Sequence, residues 1–165
     1  MKSATPFLSV LTCAAVAVIA MTLACSPART IRSTFGIYLA DTGELVLSDQ
    51  DMAAYVRATH EIKLNDSGIA KWNSQIHCSY LPGGLYQKDF TVRIDGKEIY
   101  RGTFWSGYSS QSHDGVVLDI AFRLDSTHNT IQIQYGYPGR LRGDKDDPRN
   151  NPEIFEFFAK EGMLK

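Results

Sequence analysis

Cysteine is scarce in this chain, three in 165 residues, and neither sign of charge prevails, with 17 lysines and arginines against 18 aspartates and glutamates. Without an excess of positive charge there is no electrostatic term for phosphate-backbone binding, so no nucleic-acid partner is expected. Only one long hydrophobic run occurs, which excludes a multi-pass membrane protein. There is no internal repeat, no low-complexity tract, no His-Glu-x-x-His metal motif and no Gly-x-Ser-x-Gly nucleophile elbow. What is present, 44% hydrophobic and 11% aromatic residues, is the composition of one globular domain.

The single apolar run occupies residues 7–23, and Lys2 is the only charge before Arg29, which is the layout of a secretory signal. The run closes on Thr22-Leu23-Ala24-Cys25-Ser26, which resembles the lipobox that directs diacylglycerol to a cysteine sulfur with cleavage before it; Thr22 stands where the usual pattern has leucine. The expectation is a signal peptide over 1–24, lipidation at Cys25, a tether over 25–33 and one domain over 34–165. That makes a lipid-anchored protein of the cell membrane whose domain faces outside the cytoplasm. The alternative is an uncleaved signal anchor, since 17 apolar residues fall a little short of the ~20 that span a bilayer. Cys13 leaves with the signal and Cys25 carries lipid, so the domain retains Cys78 alone and no intramolecular disulfide. Beside His77, Cys78 reads as a small buried apolar residue, because neighbours in sequence point in different directions.

Alternation predicts strands around Ile37 and Leu39 and around Leu45 and Leu47, separated by an Asp41-Thr42-Gly43 turn. Ser48 followed by Asp51 predicts an N-cap and a two-turn helix through Met52 and Tyr55. A strand over 59–64 turns Ile62 and Leu64 inward, and Asn65 caps a longer helix with Ile69, Trp72 and Ile76 on one face. After the loop 81–85, Phe90, Val92 and Ile94 run into Asp95-Gly96, a type I′ hairpin signal that pairs Ile94 with Lys97, Arg93 with Glu98 and Val92 with Ile99. Two further strands, 116–122 and 130–137, carry Val116, Leu118, Ile120 and Phe122 on one face and Ile131, Ile133, Tyr135 and Tyr137 on another. Asn151 and Pro152 open a last helix with the stripe Ile154, Phe157 and Phe158. The fold class expected is α+β, a mostly antiparallel sheet with helices packed on one face.

Two segments, Ile62-Lys63-Leu64-Asn65-Asp66-Ser67-Gly68-Ile69-Ala70-Lys71-Trp72 and Phe90-Thr91-Val92-Arg93-Ile94-Asp95-Gly96-Lys97-Glu98-Ile99, resemble the head subdomain of the first extracytoplasmic domain of the protein-export membrane protein SecD. The resemblance covers about residues 59–137. It implies an α+β module that contacts a polypeptide or a membrane-protein partner and has no catalytic centre; it does not imply export activity.

Candidate catalytic groups do not converge. His60, His113 and His128 lack metal-ligand spacing and read as scattered surface residues. Asp144, Asp146 and Asp147 lack the terminal glutamate of a calcium loop, and Lys145 and Arg149 supply countercharge, so a solvated loop is expected, with calcium the one metal worth testing. Ser109, Ser110 and Ser112 beside His113 read as a polar loop. No cofactor is expected. A bulge at Arg101-Gly102 would turn Phe104 inward and Tyr100 and Trp105 outward, beside Tyr108, as an aromatic binding patch; the competing reading closes the core with Trp105. The sequence thus points to a binding or accessory module, with an extracytoplasmic hydrolase or metal-dependent enzyme as the alternative.

Overall fold

The computed structural model describes residues 33–76, 84–139 and 147–165. The expected signal segment, Cys25, Cys78 and most of the 144–147 loop lie outside the described residues. The elements are β1 (Phe35–Leu39), β2 (Leu45–Ser48), β3 (Met52–Val56), β4 (Glu61–Leu64), α1 (Asp66–Ile76), β5 (Asp89–Ile94), β6 (Lys97–Trp105), β7 (His113–Asp119), β8 (Thr130–Tyr137) and α2 (Pro152–Lys160). Short 3₁₀ turns occupy Asp49–Asp51 and Pro148–Asn150. No helix among the described residues is long and apolar enough to cross a membrane.

Among the described residues eight strands form one mixed sheet in the order β2-β1-β5-β6-β7-β8-β4-β3, in which only the β6–β7 pairing is parallel. With two α-helices among the described residues this is an α+β architecture dominated by its sheet. β2 and β3 stand at opposite ends of the order, yet only Asp49–Asp51 separates them in the chain. Consecutive Cα atoms are about 3.8 Å apart, so a link that short draws the two edges together and curls the sheet. α1 packs against both β2 and β4 at this closure. Trp72 and Ile76 of α1 and Ile154, Phe157 and Phe158 of α2 share one core cluster with Ile37, Phe90, Val92, Phe104, Leu118 and Ile133.

The pairing of Ser48 with Asp51 exists, the Ser48 N–H and hydroxyl both donating to Asp51 Oδ2 at 2.8 and 2.9 Å. It opens one 3₁₀ turn, however, and the expected two-turn helix through Met52 and Tyr55 is strand β3. The misleading signal was the Ser48-Asp51 cap pattern, which serves a single 3₁₀ turn. A bulge between Met52 and Ala54 shifts the strand's phase, so Met52 opposite Leu64 and Tyr55 opposite Ile62 both turn inward. A second bulge puts Val46 and Leu47 in the core and leaves Leu45 at the surface, where Leu45 was expected inside.

Asn65 caps α1 as expected, its Oδ1 accepting the Gly68 N–H at 2.9 Å. Gly68 is also where the helix meets the seam: a Cβ there would stand 2.0 Å from the Asp51 carbonyl oxygen. Gly68→Ala is therefore expected to lower stability by about 1–3 kcal/mol, the cost of overpacking against backbone, although alanine is the better helix former. Urea denaturation measures this, and an unchanged or raised midpoint would contradict the close approach.

At the hairpin, Asp95 and Gly96 take φ of 52° and 79°, as a type I′ turn needs, and the pairs Ile94–Lys97 and Arg93–Glu98 form. The expected Val92–Ile99 pair does not, because the bulge falls at Ile99 and not at Arg101-Gly102, and Val92 faces Tyr100. β8 spans the expected residues, but β7 ends at Asp119 and Phe122 is exposed, against the expectation of a core position. The Asp119 carboxylate explains this: Oδ1 accepts the N–H groups of Ala121 at 2.8 Å and Gly107 at 3.0 Å, turning the chain and ending the alternation. α2 starts as expected, with Asn151 Oδ1 accepting the Glu153 N–H at 2.9 Å and Pro152 in the first turn.

Candidate binding site

The expected patch of Tyr100, Trp105 and Tyr108 does not form as one exposed surface. Tyr100 is buried among core residues, since the bulge at Ile99 gives it the same facing as Phe104, and burial pushes its hydroxyl well above the usual tyrosine range. Trp105 points away from Phe104 but is also buried, with the rings of Tyr86 and His113 centred 5.7 and 5.0 Å from its own. Only Tyr108 is exposed, at 71%, and its neighbour is Phe122, with ring centroids 5.5 Å apart.

A different site lies beside β8. A cavity of about 320 Å³ is lined by Ala58 and Thr59 from the β3–β4 turn, by Gln132, Gln134 and Tyr135 of β8, and by Arg149. Alternation along β8 places the two glutamines on the face opposite Ile131 and Ile133, and the 3₁₀ turn Pro148–Asn150 brings in Arg149. The Gln132 amide donates to the Thr59 carbonyl at 3.3 Å, which ties the strand to the turn.

Arg149 is only 3% exposed. Its Nε donates to both oxygens of Asp147 at 2.9 and 3.1 Å, its Nη2 donates to Asp147 Oδ2, and its Nη1 donates to the Ile133 carbonyl at 2.6 Å. Asp147 in turn caps the 3₁₀ turn by accepting the Arg149 backbone N–H at 3.0 Å. A guanidinium has five N–H groups, so one on each terminal nitrogen is left without an acceptor among the described residues. Burial pushes the Asp147 carboxyl up, but the hydrogen bonds from Arg149 and its charge outweigh this and hold it below the usual carboxylate range. The pair is a neutral unit with donors to spare.

Behind it stands a buried contact of Tyr55 and His60, whose Oη and Nδ1 lie 2.9 Å apart. His60 was expected at the surface; its φ of 54° at the head of β4 turns the ring inward onto Phe155 and Tyr55. Of the other histidines among the described residues, His113 is half-buried and His128 is exposed. Asp147 was expected in a solvated loop and is instead sealed by Arg149, although that countercharge was legible in sequence. Nothing in the local sequence marked Arg149, Gln132 and Gln134 as neighbours, because strand β8 and the 3₁₀ turn meet only through the fold.

No protein-family model, no curated protein and no solved structure matches this chain.

Proposed function

We propose that this chain is a lipoprotein anchored to the cell membrane through Cys25, whose α+β domain faces outside the cytoplasm and works as a binding or accessory module for a polypeptide or membrane-protein partner. The anchor rests on the Lys2-led apolar run and on Leu23-Ala24-Cys25. The observation that carries the binding role is Arg149, a buried guanidinium on the wall of a cavity with N–H groups that meet no acceptor among the described residues. Unspent donors of this kind are satisfied by whatever fills the cavity. A SecD-head-like module is supported by the order strand, helix and Asp-Gly hairpin, which β4, α1 and β5–β6 reproduce. In this reading both helices cover the core face of the sheet, supported by the single cluster they share, and the cavity face is left for the partner.

Cys25→Ser is expected to abolish labelling by radioactive fatty acid and to leave the chain at precursor size, because two or more acyl chains are what stable anchoring needs. Undiminished labelling and normal processing of that variant overturn the anchor. For the module, a photoreactive residue in place of Thr59 or Tyr108 in membrane-bound protein should give a reproducible crosslinked polypeptide; failure at both positions overturns the binding role.

A further inference from the structure

We propose that the cavity beside β8 receives a short extended segment of a polypeptide, which adds to the open edge of β8 as a strand. This deepens the binding-module reading and rests on it.

The register of the β4–β8 ladder carries the inference. Lys63, Ile62 and Glu61 pair with Thr130, Ile131 and Gln132. At the two ends of the ladder the Leu64 N–H donates to the Asn129 carbonyl at 2.8 Å and the Ile133 N–H donates to the His60 carbonyl at 3.2 Å. Asn129, Ile131 and Ile133 therefore direct their backbone groups toward β4, and by the same alternation so does Tyr135. Opposite Tyr135, β4 is gone. Its chain has left the ladder at His60, whose left-handed φ bends it into the turn that bears Ala58 and Thr59. The Ile133 carbonyl, which a continued ladder would have paired with His60, takes the N–H from Arg149 Nη1 instead. Among the described residues no backbone hydrogen bond meets Tyr135 from that side. The cavity lies between this stretch of β8 and the displaced turn, with Ala58, Thr59, Tyr135 and Gly136 on its walls.

Both outer edge strands, by comparison, have backbone groups met from outside. The Gln75 amide donates to the Val46 carbonyl of β2 at 3.2 Å. On β3, the Tyr55 N–H donates to the Met163 carbonyl at 2.9 Å and the Tyr55 carbonyl accepts the Lys165 N–H at 2.8 Å. An unpaired strand edge is a ready template for another chain, and main-chain pairing with pockets for alternate side chains is a known mode of peptide recognition. Charge selects the occupant. Asp147 already neutralises Arg149, so the remaining guanidinium N–H groups suit an uncharged peptide carbonyl better than a carboxylate or phosphate. The Gln132 and Gln134 amides add donors and acceptors along the same wall. About 320 Å³ is at the small end of ligand cavities, of order 300–1,000 Å³, which limits the segment to a few residues.

The test uses the full chain and a terminally capped, uncharged hexapeptide of alternating threonine and valine, together with two versions N-methylated at complementary alternate amides. The unmodified peptide is expected to slow hydrogen exchange at the Tyr135 amide about tenfold or more. One methylation pattern should weaken binding at least tenfold and the other should be tolerated, since only one edge of a strand pairs. Ala58→Trp, at an exposed position on the cavity wall, should weaken binding by a similar factor with an unchanged unfolding midpoint. Equal effects of the two patterns, binding indifferent to Ala58→Trp, or no binding of the peptide at millimolar concentration overturns the inference. A polypeptide crosslinked at Tyr108 with the Tyr135 amide unprotected sinks the strand-addition site and spares the binding module; loss of crosslinking at both positions sinks the module itself.

Discussion

Replacing Asp147 by alanine is expected to cost the domain about 3–5 kcal/mol, because it leaves the Arg149 guanidinium buried without its countercharge. Arg149 is fixed by four hydrogen bonds from its side chain, three of them to Asp147, and both side chains are almost fully enclosed. The exposed ion pair of Lys97 and Glu153 is the natural control, since surface pairs of that kind contribute only about 0–1 kcal/mol. The pH dependence follows from the Asp147 carboxyl being held below its usual range in the folded state. A depressed folded value means that the unfolded chain binds the proton first as pH falls. The stabilisation is therefore complete above the unfolded carboxylate pKa, about 3.9, and is lost as pH falls through the lower folded value. Urea denaturation at neutral pH and through the acid range checks both points. A loss below about 1 kcal/mol in Asp147→Ala, or an acid sensitivity equal to the parent's, would show that the pair does not hold the domain.

Trp105→Ala is expected to lower stability by about 3 kcal/mol or more, the cost of emptying a buried indole site, whereas Tyr108→Ala should change it by no more than about 0.5 kcal/mol. The contrast rests on exposure: Trp105 is 6% exposed beneath Tyr86 and His113, and Tyr108 is 71% exposed. Both residues were expected on one binding patch, and this pair of variants separates the reading of Trp105 as a packed residue from that of Trp105 as a contact. If Trp105→Ala leaves the unfolding midpoint in place while weakening capture of a crosslinked partner, the residue belongs to a binding surface after all.

The elements that sequence reading placed well are those whose signals are local. Asn65 and Asn151 act as caps with their own side chains, Asp95-Gly96 takes the two positive φ values that define its turn, and β8 alternates from Thr130 to Ile133, beyond which Tyr135 and Tyr137 are only half-buried. Errors arose where one extra residue shifts a strand's phase. The bulge beside Ala54 turns Met52 and Tyr55 of β3 both inward, and the bulge at Ile99 turns Tyr100 from the surface into the core. A bulge is stabilised by the partner strand and the packing beneath it, neither of which is written in the bulged segment.

From its own residues the chain determined the caps, the hairpin turn, most strand positions and the α+β class. Those depend on groups a few residues apart, which meet however the rest of the chain is arranged. Only the tertiary structure decided that β2 and β3 stand at the two ends of the strand order, that His60 and Asp147 are buried, and that Arg149 faces a cavity on β8. Each of these joins groups far apart in the chain, and burial of an ionisable side chain is a property of the surroundings that fold around it.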